Sequence, residues 1–364
     1  MTDLELILQK FAFVMHPLFA KKDIARKYPF VKLFPESVVE WGMQFKSPMA
    51  VSHITGVRSA AGAEAEGWFV GCPLTARQIM GLPVEKVYAR ICGAIKIAED
   101  SGAKIVGLGA FTSVVGDQGI TIAKNVGIAV TTGNSYTIAT AVQGALRGAE
   151  MMGIEPRNAQ VAVVGATGSI GKTCAQLMAK KCGGVTLIGR SMDRLEAVAG
   201  EAFKDAVATV TCSTDVAAGM CDADIVVTVS SAVDAIIEPG FIKSGAVVCD
   251  VARPRDVSEA VARERNDVLI IEGGIIEVPG DVNFNFSFGF PPKTAYACMS
   301  ETMILALEGR YESFTLGKEI SVEQVEEITR LADKHGFKLA GFRNFERAVT
   351  DEKIAEIRKN AGRS

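Results

Sequence analysis

The chain has 364 residues, 48% hydrophobic and 22% charged, with a formal net charge of −3. That length sets an expectation of two domains, and the composition is that of a globular protein with ample core. A near-neutral balance without a basic stripe excludes nucleic acid as a partner, and no apolar run reaches the roughly 18 to 20 residues of a membrane span. Eight scattered cysteines and three distant histidines, His16, His53 and His335, lack zinc-ligand spacing, so no metal is expected. The start, Met1-Thr2-Asp3-Leu4-Glu5, has neither the basic nor the apolar part of a secretory leader. A reduced, cytoplasmic chain is expected, with cysteines used mostly as small core residues.

In chain order, residues 1–153 form an expected N-terminal α/β domain for substrate and catalysis. Lys21, Lys22, Arg26, Lys27 and Lys32 stand against one acid, Asp23, a run that reads as a solvated face or as a dock for an acidic partner. Gly67 to Leu74 reads as a strand with a turn, and Pro83 to Ser101 as an amphipathic helix. Ala103 to Gly116 is an apolar strand running into Gly107, Gly109, Thr112 and Ser113. Glycines there let backbone approach a ligand or simply end a strand. Thr131 to Ala141 pairs a capping cluster with a helix reaching about Met152.

After a linker around Pro156, residues 154–290 read as a nucleotide domain. Val161 to Lys172, VAVVGATGSIGK, is a strand, a glycine turn and a helix start. Gly165 permits the turn, Gly168 lets backbone meet a pyrophosphate, and Gly171 lets helix and strand pack closely, with Ala166, Thr167, Ser169 and Ile170 completing the cradle. Six apolar strands follow at Gln160–Gly165, Val185–Gly189, Ala208–Cys212, Asp224–Ser230, Ala246–Val251 and Asp267–Gly273. They predict a doubly wound parallel Rossmann sheet, with Ser230 near the nicotinamide side. The second strand ends in Gly189-Arg190-Ser191, not in an acid. Arg190 suits the 2′-phosphate of NADPH unless it is a plain loop charge.

Residues 291–364 read as C-terminal helices packing back. An aromatic loop, Asn283 to Phe290, precedes a helix carrying Cys298, with Glu301 and Thr302 three and four residues on. Helix starts favour thiolate, which makes Cys298 a candidate nucleophile; spacing alone leaves it equally a buried structural cysteine. Glu301 reads as a surface or capping carboxylate, or as a protonated donor beside the thiol. A capping box, Ser321 to Gln324, opens a further helix to His335, and the tail beyond Gly341 reads as a peripheral helix.

The patches GWFVGCPL, GLGAFTSV, TTGNSYT, VAVVGATGSIG, GGIIE, AYACMSETMILALEG and ISVEQVEEI, in that order, resemble the cyanobacterial long-chain acyl-(acyl carrier protein) reductases. The chain departs from that family after GGIIE, where Glu277-Val278-Pro279 and the Phe/Asn loop stand. The resemblance implies that Cys298 is acylated by an acyl thioester of carrier protein or CoA, that NADPH is the reductant and that an aldehyde is the product. Such a reaction needs oxyanion donors at both tetrahedral stages, and Thr112, Ser113 and nearby N–H groups are the candidates. A shikimate-type or methylene-pterin dehydrogenase, which needs no cysteine, and a non-catalytic NADP(H)-sensing module are the alternatives.

Overall fold

The computed structural model describes residues 8–17, 20–25, 28–203, 208–232, 234–287, 289–345 and 347–363. The N-terminal segment Met1–Glu5, Arg26 and Lys27 of the basic run and Phe288 of the aromatic loop lie outside the described residues. The chain forms two compact units, each assembled from separated stretches: Met1–Gly133 with Glu277–Lys318 and Arg330–Lys338, and Asn134–Ile276 with Glu319–Thr329 and Leu339–Ser364.

The first unit is built on a mixed sheet of β1 (Gln9–Met15), β2 (Met49–Arg58), β3 (Glu64–Gly71), β4 (Ile105–Leu108) and β5 (Ala129–Thr131), in the order β2-β3-β1-β4-β5. Strands β3, β1, β4 and β5 run parallel; β2 is antiparallel to β3, and a short strand, Gly280–Asn283, extends the sheet beyond β2. Side chains alternate across the sheet. Ala12, Val14, Val70, Val106 and Leu108 bury the apolar stripe of the helix Val84–Asp100, contributed by Val87, Ile91, Ala94, Ile95 and Ala98. The expected helix over 83–101 is therefore present, and its spacing of apolar residues is what seats it.

Phe13 belongs to the other face, against which the helix Ala297–Leu307 packs. A Cβ at Gly107 would fall 2.1 Å from Thr302 Oγ1 and 2.5 Å from the Phe13 ring, and one at Gly109 would fall 2.4 Å from that ring. The glycines of GLGAFTSV thus admit protein side chains, not a ligand. The aromatic loop has a similar structural use, since the Phe284 and Phe286 rings lie 5.9 and 6.4 Å from Phe69.

The second unit holds β6 (Gln160–Val164), β7 (Gly184–Ile188), β8 (Thr209–Ser213), β9 (Ile225–Thr228), β10 (Val247–Asp250) and β11 (Leu269–Glu272). All are parallel, in the order β11-β10-β9-β6-β7-β8. This is the doubly wound Rossmann order, with its reversal between β6 and β9. The helix Asn134–Met151 lies close on the sheet because Gly148 lacks a Cβ, which would stand 2.9 Å from Val247. The box at Ser321 forms reciprocally: Gln324 N–H donates to Ser321 Oγ at 3.2 Å and Ser321 N–H to Gln324 Oε1 at 3.1 Å. The tail ends in the helix Asp351–Asn360, capped by Thr350 and burying Ile354 and Ile357. The fold is α/β, a parallel six-stranded Rossmann-type sheet and a separate mixed sheet.

Candidate functional site

In the first unit, the helix Ala297–Leu307 is buried along its whole length except at Cys298, which is half-buried. The run is apolar nearly all round, as a core helix must be, and the thiol is its one accessible side chain. Cys298 is the second residue of the helix, which starts after Tyr296 with no side-chain cap and no acid in its first turn. The first N–H groups and the positive end of the macrodipole are therefore close to the sulfur. Gly133, at φ +73°, permits this position: a Cβ there would fall 2.3 Å from Cys298 Cα and 2.5 Å from its Cβ.

Glu301 lies one turn further in and is fully buried, not on a helix surface as the sequence suggested. Its Oε1 accepts from the Thr315 hydroxyl at 2.9 Å and from the Thr131 hydroxyl. Thr132 N–H and hydroxyl both donate to Thr315 O, at 3.0 and 2.7 Å, and Phe314 N–H donates to Val130 O at 3.2 Å. The carboxylate thereby ties the Cys298 helix to β5 and to the segment beside it.

Thr112 and Ser113 are buried in a short turn beyond β4, and both hydroxyls serve that turn. Thr112 Oγ1 donates to Gly109 O at 2.8 Å and accepts from Gly109 N–H at 3.0 Å, while Ser113 Oγ donates to Ala110 O at 2.7 Å. Ala110 sits at φ +48°, a conformation costing about 1–3 kcal/mol for a residue with a Cβ. The sequence reading passed over His16, which helps to hold this turn. Phe111 N–H donates to its Nε2 at 3.1 Å, and Nδ1 faces Pro17 O at 3.1 Å, so the ring is the Nδ1–H tautomer. Its signal was a histidine closing an apolar strand just before a proline. His16, the 109–113 turn and Gly133 all follow the carboxyl ends of parallel strands, β1, β4 and β5.

Four of the other cysteines are buried and poor nucleophiles. Burial pushes the thiols of Cys72 and Cys249 up to about 12 and that of Cys182 up to about 11, and raises that of Cys174 as well.

In the second unit the glycine turn follows β6. Gly165 has φ +85°, and a Cβ at Gly171 would lie 2.3 Å from Gly165 O, so these two glycines make the turn and seat the helix Ser169–Ala179. A Cβ at Gly168 would meet only Gly165 O, at 3.3 Å, which leaves the helix start open on its outer side, as a pyrophosphate requires. Ser169 and Ile170 begin the helix, while Gly165 and Ala166 N–H groups donate to Ile188 O at 2.9 and 3.1 Å. Thr167 lies between the glycines. Arg190, past the end of β7, is exposed and makes no ion pair among the described residues; Ser191 opens the next helix, Met192–Ala202. Ser230 is held by buried Asp256, donating its hydroxyl at 2.5 Å and its N–H at 2.9 Å. Its remaining polar capacity is acceptance, one lone pair of which takes Ala232 N–H at 3.1 Å. These residues fit a dinucleotide.

Residues 149–272 match the shikimate / quinate 5-dehydrogenase family. The chain is 28% identical to aminotransferase PigE of Serratia sp. over 96% of its own length, spanning 42% of that relative. It is 25% identical to the long-chain acyl-[acyl-carrier-protein] reductase of Synechococcus elongatus, over 87% of this chain and 94% of the relative. Among solved structures, L-tryptophan dehydrogenase from Nostoc punctiforme aligns over 99% of this chain and 90% of its own at 11% identity and TM-score 0.43. Malic enzyme from Entamoeba histolytica covers 96% and 69% at 12% identity, also with TM-score 0.43. The chain has an NAD(P)-type oxidoreductase fold. Among the described residues, no helix is long and apolar enough to cross a membrane.

Proposed function

We propose that the protein reduces an acyl thioester to an aldehyde through an acyl group carried on Cys298. One observation carries this reading: a helix buried everywhere else exposes a single thiol in its first turn. The Synechococcus relative, named a long-chain acyl-[acyl-carrier-protein] reductase, supports that substrate class.

Cys298 sulfur, favoured as thiolate by the helix start, attacks the thioester carbonyl carbon; the new C–S bond forms as the bond to the carrier sulfur breaks. The carrier thiolate leaves and takes up a proton. The first N–H groups of the helix, with the turn shaped by Thr112 and Ser113, hold the oxyanion at both tetrahedral stages. NADPH, held by the 165–171 turn and by Arg190, Ser191 and Ser230, supplies the hydride when bound. The resulting hemithioacetal gives up its hydroxyl proton as its C–S bond breaks, releasing aldehyde and restoring the thiolate. Glu301 is a positioning residue.

The test is incubation of the full chain with acyl-CoA species of several lengths, without NADPH, followed by intact mass. A mass increase equal to the acyl group, absent in Cys298→Ala, is expected. No adduct at any length in a protein that binds NADPH would overturn the reading in favour of a shikimate-type hydride transfer. Consumption of NADPH by Cys298→Ala at the parent rate would do the same.

A further inference from the structure

Residues 20–46 place an unusual number of large apolar side chains on the surface. Leu33 is 85% exposed, Phe45 69%, Trp41 64% and Phe30 62%, with Phe34 and Val38 also exposed. They follow the 3₁₀ turn Pro29–Leu33 and the helix Glu36–Met43. The same segment already has an inward apolar set, Ala20, Ala25, Val31 and Met43, all buried. Its packing against the first unit is therefore supplied, and the outward set does nothing for the fold. Single exposed apolar residues are ordinary; six in sixteen positions are a surface built to be covered.

Charge tells what covers it. Across 21–46 the sequence has six cationic residues, Lys21, Lys22, Arg26, Lys27, Lys32 and Lys46, against three acids, Asp23, Glu36 and Glu40, in a chain whose net charge is −3. Lys21, Lys22 and Lys32 converge with Ala25 and Glu36 around a cavity of about 440 Å³. The aromatic rings are clustered: Trp41 and Phe45 lie 5.0 Å apart, Tyr28 and Phe30 6.2 Å apart, and Lys46 Nζ stands 5.2 Å from the Tyr28 ring. Tryptophan, tyrosine and phenylalanine beside lysines is the chemistry of the membrane interface, where rings enter the headgroup region and amines meet lipid phosphate.

We propose that this segment docks the protein on an anionic bilayer, with Leu33, Phe30, Phe34, Trp41 and Phe45 entering the interface and the lysine cavity taking lipid phosphate. An acidic carrier protein would match the lysines but would not need so many large protruding apolar groups. The inference stands independently of the reaction assigned to Cys298.

The experiment is sedimentation of the full chain with vesicles of phosphatidylcholine alone and of phosphatidylcholine with 30% phosphatidylglycerol, about the proportion that gives a bilayer a marked negative surface potential. Binding to the anionic vesicles is expected. It should weaken at least tenfold in Leu33→Asp and in Trp41→Asp, and about fivefold for each of Lys21→Glu, Lys22→Glu and Lys32→Glu. In a Trp68→Phe background, Trp41 emission should move to shorter wavelength on binding. Because Leu33, Trp41, Lys22 and Lys32 are exposed, their variants should keep parental unfolding midpoints and parental turnover of soluble thioester. Three results would overturn the proposal: no vesicle binding at low salt, binding indifferent to Leu33→Asp, or a dimer in solution that Leu33→Asp dissolves. Retention of the surface by a purified acidic carrier protein, with vesicles ignored, would equally overturn it.

Discussion

Replacing Gly133 by alanine tests the position of the thiol without touching it. The backbone is at φ +73°, where a Cβ costs about 1 kcal/mol or somewhat more. The added carbon would also stand 2.3 Å from Cys298 Cα and 2.6 Å from its carbonyl oxygen. Both atoms belong to the start of a buried helix, so a rotamer change cannot relieve the clash. Restoring an ordinary separation of about 3.5 Å needs a movement of about 1 Å, and forced overpacking of that kind typically costs about 1–3 kcal/mol. The sum, about 2–4 kcal/mol, is a large part of the stability of a typical domain. Urea unfolding followed by far-UV circular dichroism should show the midpoint drop, and acyl transfer to Cys298, followed by intact mass, should slow by more than the unfolded fraction explains. A Gly133→Ala protein within about 0.5 kcal/mol of the parent, acylated at the parental rate, would refute the claim that this glycine makes room for the nucleophile.

Other perturbations have different signs. Gly200 lies in the exposed helix Met192–Ala202 with nothing within 4 Å of an added Cβ, so Gly200→Ala should stabilise by about 0.5–1 kcal/mol in the same urea assay. Glu301→Ala strands the Thr131 and Thr315 hydroxyls in the interior and should destabilise by about 2–5 kcal/mol, whereas Glu301→Gln keeps an acceptor and should cost less. Arg190→Ala should raise the KM for NADPH about tenfold and leave that for NADH unchanged, which steady-state kinetics with both coenzymes would reveal. Burial pushes the Asp250 carboxyl from 3.8 up to about 6, so between these pH values the folded chain holds a proton that the unfolded chain has released. The stability that this group contributes is present below about pH 4 and is lost as pH rises to 6, by about 3 kcal/mol at 1.36 kcal/mol per unit of pKa difference. The stability difference between parent and Asp250→Asn, measured by urea unfolding at pH 4 and pH 7, should change by an amount of that order.

The nucleotide unit was legible because its signals are local. Four apolar residues, a glycine of positive φ and a helix start lie within twelve positions, and each of the six expected strands is found with its ends shifted by at most two residues. The first unit was far less legible, since its sheet is closed by pairings such as β2 with Gly280–Asn283, distant in sequence. Glu301 shows why local reading fails there. A carboxylate three residues after a cysteine reads as a surface group, and the hydroxyls that make it a buried one come from Thr131 and Thr315. Gly107 and Gly109 announced a close approach correctly but not by what. The missing Cβ is equally compatible with a ligand and with the Phe13 ring, and only the structure assigns the space to the ring.

Placing a carboxylate one turn from a candidate thiolate looks self-defeating, because like charges oppose each other's ionisation. The hydrogen bonds resolve the difficulty. Two threonine hydroxyls donate to Glu301 Oε1 in the interior, which commits this group to holding the helix. Cys298, in the first turn, is served instead by the helix start, where N–H groups and dipole are strongest and no acid intervenes. Glu301 is past that first turn, where the dipole effect has faded, and its hydrogen bonds come from side chains. These two side chains of the helix thus have separate surroundings. The deeper one fixes the helix against β5, and that fixation holds the shallower one beside Gly133.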